Sequence, residues 1–108
     1  MLYRICQLKD TAPSKLLFSS FDYAIKNGGI VGENYESVYT GVYTGDVNGL
    51  TKEKVHEILE QLYTKFNVEK PEDYHGRAMS VSDVIILESC GYRGFWYCDN
   101  VGFKQFGR

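Results

Sequence analysis

Lys52-Glu53-Lys54-Val55-His56-Glu57-Ile58-Leu59-Glu60-Gln61-Leu62-Tyr63-Thr64-Lys65-Phe66, residues 52–66, is the stretch that decides how this chain folds. Val55, Ile58, Leu59, Leu62, Tyr63 and Phe66 recur at spacings of three and four, so a helix gathers them into one apolar stripe. Thr51 stands where a side-chain oxygen caps the first free N–H groups, and Leu50 and Val55 occupy staple positions. Glu53 near the start and Lys65 near the end suit the helix dipole. Asn67 can close the helix, and Pro71 prevents a restart. One striped helix cannot bury itself, so the flanking sequence must supply a sheet.

Upstream, Leu2 to Leu8 is rich in strand formers and stops before Lys9-Asp10-Thr11-Ala12-Pro13. Ser14 reads as a cap, and Leu17, Phe18, Phe21, Ala24 and Ile25 predict a short helix within 15–26, ended by Asn27-Gly28-Gly29. Residues 36–44 alternate, with Val38, Thr40 and Val42 opposite Tyr39, Gly41 and Tyr43. Gly41 marks a bulge or a close backbone approach. Downstream, Val84-Ile85-Ile86-Leu87 reads as a buried strand. Residues 94–98 and 101–106 read as two more, joined by a two-residue turn at Asp99-Asn100. The expected order is β-α-β-α-β-β-β with a C-terminal meander. That is an α+β fold with two helices on a small mixed or antiparallel sheet, in a single domain over residues 1–108.

At 108 residues, area scaling buries about two thirds of the extended chain's surface, enough for a core without disulfides or metal. The net charge of -2 points to no polyanionic partner. Residues 1–90 carry nine Lys/Arg and thirteen Asp/Glu, whereas Arg93, Lys104 and Arg108 leave the last eighteen residues at +2. Three cysteines (Cys6, Cys90 and Cys98) without any Cys-x-x-Cys pattern indicate reduced thiols. No basic segment followed by an apolar run opens the chain, and no apolar stretch nears the ~20 residues that span a bilayer. A cytoplasmic protein without membrane contact is expected, as monomer or homodimer.

No motif identifies catalytic, cofactor or metal residues. His56 and Glu60 share a helix face, but the zinc-protease helix needs histidine where Glu60 stands. Cys90 or Cys98 with His75 would make a nucleophile and base only if the fold brought them together. Gly28, Gly29 and Gly32 lack the Lys-Ser/Thr of a phosphate loop. Tyr92-Arg93-Gly94-Phe95-Trp96-Tyr97, with Lys104 and Arg108 downstream, could stack bases and hold phosphates, although alternation sends one aromatic face into the core.

The chain resembles the YodL-like domain family, through Tyr3-x-x-x-Gln7-Leu8-Lys9, Phe18, Phe21-Asp22 and Tyr35-x-x-Val38-Tyr39. The pattern is densest in Phe66-Asn67, Pro71-x-Asp73-Tyr74-x-Gly76 and Met79-Ser80-Val81-Ser82-Asp83-Val84, and closes with Tyr97-x-Asp99-x-x-Gly102-Phe103. The resemblance implies small Firmicutes proteins and modules of conjugative elements, and carries over no catalytic residue. The expected function is therefore a non-enzymatic interaction domain of a bacterial mobile element, with another protein as partner. Weak single-stranded nucleic-acid binding through the C-terminal segment is the alternative. The candidate interaction surface comprises Asp73, Tyr74, His75, Arg77, Asp83, Arg93, Trp96 and Lys104. In the stretch 79–83, Ser80 or Ser82 and Asp83 can equally hold a turn through side-chain to backbone bonds.

Overall fold

A computed structural model describes residues 1–89 and 91–107. The elements run β1 (Leu2–Leu8), α1 (Phe21–Lys26), β2 (Tyr35–Val42), α2 (Lys52–Val68), β3 (Val84–Ser89), β4 (Tyr92–Cys98) and β5 (Phe103–Phe106). All neighbouring strands are antiparallel, in the order β2-β1-β3-β4-β5. The α+β class, the element order and the C-terminal meander are those that the patterning predicts.

The stripe on α2 performs as its spacing requires. Val55, Ile58, Leu59, Leu62 and Phe66 are buried against Tyr3 and Ile5 of β1, Ile85 and Leu87 of β3, Trp96 and Cys98 of β4, and Phe103 of β5. Thr51 accepts a hydrogen bond from the Lys54 N–H at 3.1 Å. Thr51→Ala should therefore lower stability by about 1 kcal/mol in a urea melt. A loss below the error of the melt would show that the cap is redundant.

The segment before β2 departs from expectation. Instead of one helix over 15–26, a 3-10 turn at Ser14–Leu16 and the separate helix α1 flank Phe18, whose φ is +62°. Pro13, not Ser14, precedes the first turn, and the cap of α1 is Ser20, which accepts from the Tyr23 N–H. Leu17, Phe18 and Ile25 are exposed rather than part of a buried stripe. The cause is tertiary. The Phe18 N–H donates to the Ser82 hydroxyl at 3.3 Å, and Ser82 itself sits at φ +89°. Tyr97 donates its hydroxyl to the Ser19 carbonyl at 2.7 Å, and the Phe21 N–H donates to Asp99 at 3.0 Å. These bonds hold the chain in a conformation that local propensity would not choose.

Two further corrections are local. The β-bulge lies at residue 38, because Ile5 pairs with Tyr39 but Cys6 pairs with Ser37. Gly41 instead marks a close approach: the Tyr3 ring lies over it, and a Cβ there would sit 2.4 Å from the Tyr3 hydroxyl. The last hairpin turns through four residues, 99–102, closed by a hydrogen bond from the Asp99 N–H to the Gly102 carbonyl with Gly102 at φ +69°. Asp99 is committed to Phe21 and Asn100, so the reversal falls later than a two-residue turn would put it.

Candidate functional site

The antiparallel register sorts the second face of the sheet, opposite α2, into three rows. The first contains Ser37, Cys6, Val84, Tyr97 and Lys104. α1 covers its centre: Ala24 and Phe21 pack on Cys6, Val84 and Tyr97, with the Phe21 and Tyr97 rings 5.4 Å apart. The second row is Thr40, Arg4, Ile86, Phe95 and Phe106, and the third is Val42, Leu2, Glu88 and Arg93. α1 reaches the near side of the second row, where the Phe21 ring comes 6.5 Å from that of Phe106. Ile86, Phe95 and Phe106 remain half-exposed, and Leu2 and Val42 are exposed.

A groove of about 470 Å³ opens between the sheet and the Ile30–Gly32 segment, over the first two rows: Cys6, Ser37 and Val84 of the first and Arg4, Ile86, Phe95 and Phe106 of the second line it. Its floor is Cys6, Val84, Ile86, Phe95 and Phe106, and Val31 and Tyr35 form part of its wall. Arg4 stands in it with no ion-pair partner among the described residues. Arg4 is exposed, so the groove places a solvated cation beside the apolar side chains of Ile86, Phe95 and Phe106. Arg93 lies over the Phe95 ring at 5.0 Å and pairs with Glu88 at 3.7 Å.

The residues of the expected surface do not converge on this groove. Asp73, His75 and Arg77 are exposed on the segment between α2 and β3. Tyr74, Asp83 and Trp96 do not belong to a surface at all: they are 8%, 0% and 3% exposed. Trp96 faces α2, with its ring 5.0 Å from the His56 imidazole, because alternation along β4 turns it away from Phe95 and Tyr97. His56 is accordingly part of a packed contact rather than a freely solvated face. Lys104 ends the first row of the second face with its side chain exposed, and pairs with Asp99 at 3.7 Å.

Tyr74 and Asp83 belong to a buried polar cluster under the sheet end. The Gln7 amide nitrogen donates to Asp83 Oδ2 at 3.0 Å, to the Arg77 carbonyl at 3.0 Å and to the Tyr74 hydroxyl at 3.3 Å. Its oxygen accepts from the Arg77 N–H at 3.0 Å. The Ser80 N–H donates to Asp83 Oδ2 at 3.0 Å, and the Asp83 N–H donates back to the Ser80 carbonyl, making the turn that leads into β3. Asp83 Oδ1 is buried without a hydrogen-bond partner among the described residues. Burial pushes the Asp83 carboxyl up to about 6, against the pull of Gln7, the Ser80 N–H and Arg77. The cluster pins the 71–83 segment to β1.

The thiols are poorly suited to nucleophilic work. Burial pushes Cys98 up to about 12, with Asp83, Glu60 and Asp99 adding to the effect. Burial also raises Cys6. His75 makes no hydrogen bond to a thiol among the described residues, and Cys90 lies outside them. Among the described residues no three His, Cys, Asp or Glu side chains are grouped to hold a metal ion. No helix of the described chain is long and apolar enough to cross a membrane.

No motif in the sequence marks Arg4, Ile86 or Phe106. Strand alternation gives each a face, but which face stays open depends on where α1 docks.

Fold and groove define a small α+β domain in which one sheet face is closed by a long helix and the other is half-closed by a short one. The YodL-like domain model matches residues 2–107, and the chain belongs to that family. No curated protein and no solved structure matches the chain.

Proposed function

We propose that the domain is a non-enzymatic protein-interaction module whose docking surface is the groove on the second sheet face. Following the setting that the family resemblance implies, its role is that of an accessory component of a bacterial mobile element. The observation that carries the docking role is the half-open second row, where Ile86, Phe95 and Phe106 line an apolar groove instead of a closed core. Apolar side chains arranged as a continuous concave strip are a common mark of a partner site.

A photoreactive residue at Val31, on the groove wall, should capture a discrete protein in cells. The same residue at Glu57, on the exposed side of α2, should not. Equal capture at both positions, or turnover by the purified domain across hydrolase and transferase substrate panels, would refute this role.

Nucleic-acid binding has weaker support. Trp96 is buried, and Arg93 and Lys104 are already paired with carboxylates, which leaves, among the described residues, Arg93 over Phe95 as the stacking feature of the expected segment. Labelled oligo-dT should show no binding at low salt. Binding that falls steeply with added salt and weakens in Phe95→Ala would favour it instead.

A further inference from the structure

We infer that the groove takes a single segment of another protein that presents one carboxylate, for Arg4, flanked by apolar side chains for Ile86, Phe95 and Phe106. The inference rests on the docking role proposed above and adds the chemistry of the partner.

Charge is the first reason. The second and third rows hold three charged side chains: Arg4, Glu88 and Arg93. Glu88 and Arg93 pair with each other across β3 and β4, and the Arg93 guanidinium also rests on Phe95. Among the described residues Arg4 is left with no carboxylate within ion-pair distance, although it neighbours Thr40 and Ile86 in the register and lines both the main groove and the smaller hollow beside Leu2 and Glu88. A partner that covered these rows with apolar groups alone would desolvate the guanidinium without compensation, which opposes binding. A partner carboxylate placed over Arg4 removes that cost and accepts bidentate hydrogen bonds from it.

Size is the second reason. Two rows at ~7 Å each make a strip about 14 Å wide that runs across the strands. A strip of that width takes one extended or helical segment, a helix being about 10–12 Å across.

The test uses a display library of 14-residue peptides selected on the purified domain. Retained peptides should share one Asp or Glu among Leu, Ile, Phe or Val residues. The best peptide, remade with Gln or Asn at its acidic position, should bind about tenfold more weakly, equivalent to ~1.4 kcal/mol. Arg4→Gln should show the same weakening toward the acidic peptide and no preference between the two. Arg4→Glu should bind a version with Lys at the acidic position in preference to the original, which a merely structural Arg4 would not produce. Ile86→Asp should abolish binding of all versions. Because Ile86 is in an interior strand, Val31→Asp on the exposed groove wall provides a second disruptive variant.

Peptides that bind, are lost in Val31→Asp and ignore every change at Arg4 would overturn the carboxylate assignment and leave the docking role standing. A library that yields no binder sensitive to Val31→Asp or Ile86→Asp would overturn both. A concentration-dependent dimer abolished by Val31→Asp would overturn the inference in favour of a second copy.

Discussion

Phe66→Ala is expected to cost about 3–5 kcal/mol of folding stability, the range for removing a fully buried phenylalanine. Phe66 is 0% exposed and lies in an aromatic cluster, with ring centres 4.9 Å from Tyr74, 5.2 Å from Tyr39 and 5.9 Å from Tyr3. These four rings come from α2, the 71–83 segment, β2 and β1. The substitution thus opens a hole where four parts of the chain meet. Tyr74 also donates its hydroxyl to the Arg77 carbonyl and accepts from Gln7, so its displacement would loosen the polar cluster as well. Small domains have a total stability of about 5–15 kcal/mol, so the variant should unfold at much lower urea. Phe66→Leu, which keeps most of the volume, should lose far less. A urea midpoint for Phe66→Ala within 1 kcal/mol of the parent would show that this cluster is not the keystone of the core.

The second large effect is a dependence of stability on pH set by Asp83. The folded carboxyl titrates near 6, raised from its ordinary value of 3.8 chiefly by burial. Between those values the folded state holds a proton that the unfolded chain has released. Stability should therefore be greatest near pH 4, fall as pH rises toward about 6, and level off above that. The shift corresponds to about 3 kcal/mol across the window. Asp99 works in the opposite sense and outside this window. Its partial burial opposes ionisation, but the Phe21 and Asn100 N–H groups and Lys104 prevail and hold it below 3.8, so its contribution is lost only in stronger acid. Asp83→Asn cannot ionise and keeps an oxygen to accept from Gln7 and Ser80. Chemical melts of both proteins from pH 4 to 7.5 should diverge by about 3 kcal/mol in slope-corrected stability. Parallel curves would mean that Asp83 keeps an ordinary affinity for protons despite its burial.

The polar cluster and the groove differ in purpose. Gln7, Tyr74 and Asp83 exchange hydrogen bonds with one another and with the 77–80 backbone, leaving one buried oxygen without a hydrogen-bond partner among the described residues. That arrangement orders a long connection between α2 and β3. The groove offers the reverse, half-exposed apolar surface beside a cation that has no ion-pair partner among the described residues. The first organises the fold, and the second is the surface proposed above for docking.

The amino-acid sequence by itself determined α2 with its cap and stripe, β1 from Leu2 to Leu8, the existence of β3 to β5, and the element order. Each of these rests on contacts or periodicities within a few residues, and side-chain spacing encodes them directly. Only tertiary structure decided that Phe18 breaks the first helix, that the bulge falls at residue 38, and that Trp96, Tyr74 and Asp83 turn inward. It alone brought Gln7 to Asp83 and left Arg4 in the open. The physical reason is that strand alternation gives two faces but does not say which is covered. That is settled by where a six-residue helix docks, held by Tyr97, Asp99 and Ser82 from more than sixty positions along the chain.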